Sequence, residues 1–270
     1  MIKYYFAILT LFIYSFAFAE SSIQLNKLIN TNQCLECDFS NLELKGVKFW
    51  NSNMRQSNFK QTNLSKSKLQ GSNISDSQFN QAIFIGAQLQ GVNLNNTIFE
   101  NSKFTASNLI GAFLKKAKIN NSDFRGVDMQ TVEFTDGEAI NSDMKSINLT
   151  GANLSNSNFS GSNFLNANFT GANLSSVNFT GANLENADFS GSNLSNVNFT
   201  DASIKNARFV SSNLSNVNFN KIDLSLVIFK DILFCGKRVA GKISTSSFLD
   251  GIINQEKGDN TGILKSLYCD

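Results

Sequence analysis

The four cysteines are the residues of this sequence whose type and spacing come closest to a chemical site. Cys34 and Cys37 form a C-x-x-C pair near one end, and Cys235 and Cys269 lie near the other. A C-x-x-C pair can act as a redox dithiol, but that chemistry belongs at a helix start within a thioredoxin-like βαβ unit. No βαβ pattern surrounds this pair. Structural disulfides, free thiols and redox chemistry all remain open from the spacing, and disulfides suit an oxidising compartment.

Other catalytic groups are scarce in this composition. The 270 residues include no histidine, which removes the commonest general base and the commonest metal ligand. Basic and acidic residues nearly balance, at 23 and 21, so no strong charge points to a partner. We therefore predict a protein that is not an enzyme and that has no catalytic residue, no metal site and no cofactor.

The first nineteen residues have the pattern of a secretory signal peptide. Lys3 gives a short basic start, residues 4–16 are mostly apolar, and Ala17-Phe18-Ala19 forms an A-x-A cleavage pattern before Glu20. The apolar run is too short to be a membrane span. The sequence thus predicts export to the periplasm or to the outside of the cell, with no membrane span after cleavage.

A five-residue repeat dominates the rest of the chain. Steps of five from Phe39 land on Phe, Leu, Ile or Met at 39 of 40 successive positions, ending at Phe234. The exception is Ala139, which we expect to leave a small void or a slight distortion. A small residue usually stands two positions before each apolar residue, and Asn or Asp usually stands directly before it. A period of five matches neither a simple strand nor a helix.

Such a period fits a chain that turns a corner every five residues. The large apolar residue and the small residue two before it point inward, as alternation along a strand requires, and the flanking polar residues point outward. Four sides close one coil, and ten coils stacked about 4.8 Å apart make a rod about 45 Å long. The two cysteine pairs then lie at opposite ends. A shared zinc site is excluded, and Cys34–Cys37 and Cys235–Cys269 are the disulfides possible within one chain.

Individual units resemble a known family. Ala152-Asn153-Leu154-Ser155-Asn156 is similar to the A-[DN]-L-x-x unit of the pentapeptide repeat family, and this resemblance covers residues 37–236. It implies an all-β fold, a right-handed quadrilateral parallel β-helix of about ten coils, with a short N-terminal helical cap and a C-terminal cap. The segment KLINTNQCLECDFSNL (residues 27–42) also resembles the lead-in of many members.

Some members of that family resemble B-form DNA in size and charge and occupy topoisomerases. Such mimicry requires a strongly negative surface, because phosphate charge dominates recognition by these partners. This sequence has a formal net charge of +2 and many lysines in its first half, so we predict no role of this kind and no nucleic-acid partner. The lysines spread over several sides of the coil: Lys45, Lys48, Lys60, Lys66, Lys68, Lys115, Lys116 and Lys118.

The predicted organisation has four parts. Residues 1–19 form the signal peptide, 20–36 an N-terminal cap helix and loop, 37–236 the β-helix and 237–270 a C-terminal cap. The caps are needed because the open ends of a β-helix expose strand edges. Ser21-Ser22-Ile23-Gln24 offers a capping box, and apolar contacts are expected from Ile23, Leu25, Leu28 and Ile29.

Two sets of outward-facing residues are candidates for a binding surface. Several apolar residues occupy normally polar positions and, if contiguous, would form a surface for a partner or for self-association: Trp50, Ile83, Ile85, Ile98, Ile110 and Phe113. Ser160, Thr180 and Thr200 fall in one register, interrupted by Asn220, and could present a carbohydrate- or ice-binding surface.

The sequence therefore predicts an exported, non-catalytic structural or protein-interaction module. One alternative is a secreted effector that binds a host or competitor protein, and a further alternative is the carbohydrate- or ice-binding surface. The predicted partner is a protein, and the oligomeric state stays open.

Overall fold

The computed structural model describes residues 21–234 and, for its backbone, residues 237–243. The predicted signal peptide lies outside the described residues, as do Cys235, Cys269 and the part of the predicted C-terminal cap that follows residue 243. The domain boundaries given above stay predictions.

Parallel bridges twenty residues apart define the architecture. Asn153 bridges Asn173, and Asn173 in turn bridges Asn193, and the same spacing recurs from the first coil to the last. The N–H of Leu154 donates to the carbonyl of Asn173 (2.8 Å), whose own N–H donates back to Ala152 (2.9 Å). Four sides of five residues thus form each coil, and the predicted quadrilateral parallel β-helix is confirmed. We number its sides 1 to 4 in chain order, beginning with residues 37–41, 42–46, 47–51 and 52–56.

Each corner follows the large apolar residue by two positions, where the backbone is left-handed. Gly161 has a φ of 67° there and Asn166 has a φ of 60°. Glycine adopts this conformation without a Cβ penalty, and asparagine tolerates it better than most residues. The frequent Gly and Asn of the repeat therefore set the corner, and the corner sets the period of five.

Phenylalanine columns fill the core. On side 1, the rings of Phe179 and Phe199 stack with centroids 5.6 Å apart, and on side 3 the rings of Phe169 and Phe189 stack at 4.8 Å. Phe179 also meets Phe189 edge-on at 6.3 Å, so the two columns interlock. Offset-stacked and edge-to-face rings at these distances are the favoured aromatic geometries.

Buried serines extend the backbone ladder into the core. The N–H of Ser142 donates to Ser162 Oγ (2.9 Å), and Ser142 Oγ donates to the carbonyl of Ile119 (2.7 Å). A buried hydroxyl is tolerated when it is hydrogen-bonded. These serines therefore act as small core residues that also link neighbouring coils.

A small void lies in the core between Ile119 and Phe159, which stand one coil before and one coil after Ala139. It measures about 10 Å³, which is at the lower limit for holding one water molecule, and Phe134 also lines it. Phe134 reduces the void because its ring lies 5.5 Å from that of Phe159, stacked across the coil that carries Ala139. Gly137 makes room for this ring: a Cβ there would lie 2.5 Å from Phe134 Cε1 and Cζ.

A helix, α1, occupies residues 21–31 and packs on the first coil. Leu28 is fully buried and Leu25 is partly buried against the core, as predicted. Ile23 and Ile29 are exposed, so the contacts expected from them are wrong, because only one narrow face of α1 touches the coil. The capping box is also wrong: Ser21 is itself helical, and Gln24 Oε1 accepts a hydrogen bond from the N–H of Asp38 (2.6 Å).

Three strands lie at the other end of the rod. They are β1 (Arg208–Val210), β2 (Ile228–Phe234) and β3 (Lys237–Ile243). β1 pairs with β2 in parallel, continuing the coil, and β3 pairs with β2 antiparallel. β3 thus covers the free edge of the last coil along sides 3 and 4, which reduces the exposure of an unpaired strand edge.

Side 2 of the last coil is not paired in this way. Leu184 and Asn186 donate N–H bonds to the carbonyls of Ser203 and Lys205 (2.7 and 2.9 Å), but Ile204 and Asn206, one coil later, have no such acceptor among the described residues. The gap between these two coils has a volume of about 430 Å³. Lys221 Nζ lies 3.4 Å from Asp201 Oδ1 at its mouth.

We expect the amides of Ile204 and Asn206 to exchange with solvent about a hundredfold faster than those of Leu184 and Asn186. That ratio equals a difference of about 2.7 kcal/mol in opening free energy. The two pairs occupy the same positions of successive coils, so each is the control for the other in amide hydrogen exchange by NMR. Equal protection would contradict the open side.

Candidate functional site

The six apolar candidates do not form one surface. The twenty-residue register places Trp50 and Ile110 on side 3, Ile83 and Ile85 on side 2, Ile98 on side 1 and Phe113 on side 4. The condition of contiguity is therefore not met by the six together, because a few residues are enough to carry the chain around a corner. Trp50, Ile85 and Phe113 are exposed, whereas Ile83, Ile98 and Ile110 are half-buried.

Among the six candidates, Phe113 and Ile110 lie on either side of the same corner of the coil. They flank the corner at Gly111, with Ile110 ending side 3 and Phe113 on side 4. Phe113 is 47% exposed and bridges Asn93 and Glu133 on the neighbouring coils. An aromatic ring therefore stands in a column that is otherwise mostly asparagine.

That column forms an amide ladder further along the rod. Asn173 Nδ2 donates to Asn153 Oδ1 (3.1 Å), Asn193 Nδ2 donates to Asn173 Oδ1 (3.3 Å), and Asn213 Nδ2 donates to Asn193 Oδ1 (3.0 Å). The repeated asparagines thus satisfy one another along the axis. The hydrogen bonds between these identical side chains stabilise the coil surface. A surface this regular offers no irregular feature for a partner to recognise.

The hydroxyl array is also engaged within the protein. Thr180 Oγ1 donates to Asn178 Oδ1 (2.5 Å) and accepts from Asn198 Nδ2 (3.1 Å). Thr200 repeats both contacts with Asn198 and Asn218. Little hydrogen-bonding capacity is left on these hydroxyls for a sugar or for ice, and Ser160 begins an array of only three residues.

The predicted Cys34–Cys37 disulfide is present in the structure, with Cα atoms 5.7 Å apart. Both cysteines are buried, and Ser57 connects them to the next coil. Its Oγ donates to the carbonyl of Cys34 (3.3 Å) and accepts from the N–H of Cys37 (3.1 Å). Burial of both sulfurs in the first coil fits a structural crosslink better than thiol exchange.

The structure brings together four lysines that sequence reasoning treated as dispersed. Lys48 and Lys68 bridge each other on side 3, and Lys45 and Lys66 end side 2 at the adjoining corner. Lys60 and Lys118 lie on side 1, and Lys115 and Lys116 lie on side 4. The sequence contained the signal, because Lys48 and Lys68 are separated by one full coil.

Seven ion pairs lie elsewhere on the surface of the described residues. Arg125 Nη2 donates to Asp123 Oδ2 (2.6 Å), and Arg125 Nε lies 3.7 Å from Asp143 Oδ2. The hydrogen bond from Arg125 lowers the pKa of Asp123. Between residues 21 and 234, no group of three His, Cys, Asp or Glu residues is placed to hold a metal ion. No helix of this same range is long and apolar enough to cross a membrane.

Comparisons with known proteins agree with this geometry. The family model described as pentapeptide repeat region matches residues 77–154 and 132–209, and the model described as pentapeptide repeats (8 copies) matches 37–76 and 192–231. No curated protein matches the chain.

Three solved structures illustrate the similarity. HetL, a pentapeptide repeat protein involved in heterocyst differentiation regulation in the cyanobacterium Nostoc sp., is 21% identical, with 77% of this chain and 92% of that chain covered and a TM-score of 0.36. Full-length QnrB1, a plasmid-mediated fluoroquinolone resistance protein, is 20% identical, with 75% and 93% covered and a TM-score of 0.35. A pentapeptide repeat protein of the Arabidopsis thaliana thylakoid lumen is 24% identical, with 51% and 68% covered and a TM-score of 0.26.

TM-scores this low support no argument about the present chain, whereas the two family models together match it continuously from residue 37 to residue 231. The bridges twenty residues apart and the left-handed corners are the structural counterpart of that match. The chain therefore belongs to the pentapeptide repeat family, as a structural repeat module with the right-handed quadrilateral β-helix fold.

Proposed function

We propose that the protein is an exported, non-catalytic rod that binds a partner protein through apolar side chains on its first four coils. The observation that carries the proposal is a contrast between the first coils and the middle of the rod. Trp50, Ile85 and Phe113 are each between 42% and 49% exposed, whereas no large apolar side chain of the described chain is exposed from residue 114 to residue 225. Leu226, Ile228 and Leu233 in the last coil are exposed as well. Exposed apolar side chains on a polar background are typical of interaction surfaces.

The later coils then serve as a spacer. Their outer columns are amide ladders and short hydroxyl side chains that already bond within the protein. A rod whose surface groups are already hydrogen-bonded to one another can hold the first coils at a distance from whatever the other end contacts. This division of labour needs no cleft and no ionisable catalytic group, which agrees with the lack of histidine.

Export is supported by two features. Residues 1–19 have the signal-peptide pattern, and the Cys34–Cys37 disulfide suits an oxidising compartment. An exported protein could bind a structural partner in the cell envelope, or it could be a secreted effector that binds a host or competitor protein. The origin of the captured partner distinguishes these two possibilities.

We expect Phe113→Asn to reduce capture of the partner about tenfold or more. Buried aromatic anchors are typical interaction hot spots and can contribute 2 kcal/mol or more. The new asparagine would lie next to Glu133, in the same way that Asn153 lies next to Glu133 from the following coil. The side-4 column then becomes more regular, and we expect the fold to be kept. Crosslinking and quantitative pull-down with the mature protein measure the change, against both cell-envelope extract and host-cell extract.

Leu165→Asn is the matched control. Leu165 is a half-buried, outward-facing apolar residue in the spacer coils, on side 2 like Ile85. This control should leave capture unchanged. Equal capture by wild type, Phe113→Asn and Ile85→Ser would contradict the proposed function.

A further inference from the structure

Side 3 of the first two coils stacks one lysine directly on another. Among the parallel bridges between successive coils of the described chain, Lys48–Lys68 is the only one that joins two cations. Like charges opposite each other on neighbouring strands are destabilising. Lys45 and Lys66 stand at the adjoining corner, so four ammonium groups lie within two coils.

Elsewhere, stacked charges lie next to an opposite charge; even Asp123 and Asp143, which bridge each other, share Arg125. Lys118 lies 3.1 Å from Glu138, and Arg208 lies 3.4 Å from Asp188, in each case one coil away. None of the four lysines lies within ion-pair distance of a carboxylate of the described residues. Along the column of Lys48 and Lys68, the next acidic residue is Asp128, three coils beyond Lys68. No ion pair among the described residues therefore offsets the repulsion between Lys48 and Lys68.

An aromatic ring and two glutamine side chains with buried, unpaired oxygens lie beside these lysines. Trp50 is 49% exposed and shares side 3 with Lys48. Gln70 and Gln90 follow Trp50 in the same column, one and two coils later. Gln70 Nε2 donates to Gln88 Oε1 (2.7 Å), but the Oε1 atoms of Gln70 and Gln90 have no donor. Turning the Gln90 amide outward would break no hydrogen bond made by its oxygen.

We propose that this surface, the basic corner (Lys45, Lys48, Trp50, Lys66, Lys68 and Gln90), binds an acidic polysaccharide. The lysines pair with the carboxylates or sulfates of the ligand and relieve their mutual repulsion. The Trp50 ring packs on the apolar face of a sugar ring, and the Gln90 amide bonds sugar hydroxyls. The proposal goes beyond the protein partner proposed above and does not depend on it.

The surroundings favour a polysaccharide over a nucleic acid. Proteins that bind single strands stack successive bases on several aromatic side chains, and Trp50 is the only exposed aromatic residue on side 3 of the described chain. Duplex binders neutralise more phosphates and usually have a pI above about 9, whereas this chain has a pI of about 8.3. A ligand that carries hydroxyl donors as well as negative charges matches the basic corner better.

Binding of the full mature chain to three polymers tests the proposal: alginate, which carries carboxylates only, heparin, which carries sulfates as well as carboxylates, and neutral dextran. We expect affinity electrophoresis to show retardation by alginate or heparin and none by dextran. Retardation by alginate would show that carboxylates are sufficient, and retardation by heparin alone would show that sulfates are required. Retardation should weaken as salt is raised, because the paired charges are at the surface. No retardation by either acidic polymer would overturn the proposal.

Two variants locate the site. Lys48→Gln/Lys68→Gln should weaken binding about tenfold, whereas Lys115→Gln/Lys116→Gln, with the same loss of charge on side 4, should change it less than about twofold. Trp50→Ala should also weaken binding, with thermal unfolding as the check on folding. Equal losses in both lysine pairs would show general charge attraction and overturn the assignment. So would tighter binding to single-stranded DNA than to the polysaccharides. Capture of the protein partner through Phe113 should be the same in the two double lysine variants, neither of which changes an apolar side chain.

Discussion

Replacing Phe179 by alanine is expected to lower the free energy of unfolding by about 3–5 kcal/mol. Phe179 is fully buried, and its ring stacks between Phe159 and Phe199 with both centroids 5.6 Å away. It also meets Phe164 and Phe169 edge-on, at 5.6 and 5.8 Å. Alanine removes the stacking partner of two rings and the edge contacts of the others.

The neighbouring coils cannot move together to close the cavity that this substitution leaves. Backbone hydrogen bonds on this side of the coil fix the spacing between coils. The N–H of Phe179 donates to the carbonyl of Asn198 (2.8 Å), and the N–H of Gly181 donates to the carbonyl of Thr200 (2.9 Å). A site that cannot collapse lies at the upper end of the range for large-to-small core substitutions. Each coil contacts only its neighbours, so the lost stability should fall on the coils between Phe159 and Phe199.

Urea unfolding followed by circular dichroism measures the total loss, and hydrogen exchange shows which coils carry it. Phe179→Leu is the control, because leucine is common at this position of the repeat, and it should cost about 1–1.5 kcal/mol. If alanine and leucine had the same effect, the ring column would contribute nothing beyond apolar volume.

The fold could be predicted because one local rule repeats. A large apolar residue every fifth position requires a corner between successive sides, and four sides give the columns in which Phe159, Phe179 and Phe199 stack. Each of these consequences depends on spacing within a few residues, and such local spacing can be read directly from the sequence.

The parts that were missed depend on contacts between distant elements. The orientation of α1 is fixed by the first coil, which buries Leu28 and engages Gln24, and no pattern within the helix distinguishes Leu28 from Ile29. The unpaired side of the last coil is equally hidden, since Ile204 and Leu224 both obey the repeat.

The candidate site was misjudged for a different reason. Ile98 and Phe113 are close in sequence, but they project from sides 1 and 4 of the rod. Lys48 and Lys68 are farther apart in sequence and yet bridge each other. On a coil of twenty residues, neighbourhood follows the register more than the sequence distance, and surface candidates should be grouped by that register first.

Gly137→Ala is expected to lower the free energy of unfolding by about 1–3 kcal/mol, the usual range for overpacking a core. The added Cβ would lie 2.5 Å from Phe134 Cε1 and Cζ, so the ring must move. It has little room to do so, because it already occupies the space beside Ala139 and stacks on Phe159. Gly137 does not have a positive φ, so backbone strain is not part of the effect.

One coil earlier, the chain supplies a matched set of residues for the same three positions. Leu114, Ala117 and Ile119 stand where Phe134, Gly137 and Ala139 stand in the next coil. The triple variant Phe134→Leu/Gly137→Ala/Ala139→Ile reproduces that set, and it should recover most of the stability lost by Gly137→Ala alone. Residues that share one cavity are not additive, and a thermodynamic cycle over the three positions measures their coupling. A triple variant no more stable than Gly137→Ala would mean that the two coils are not interchangeable. The lone alanine of the repeat would then have a reason other than packing.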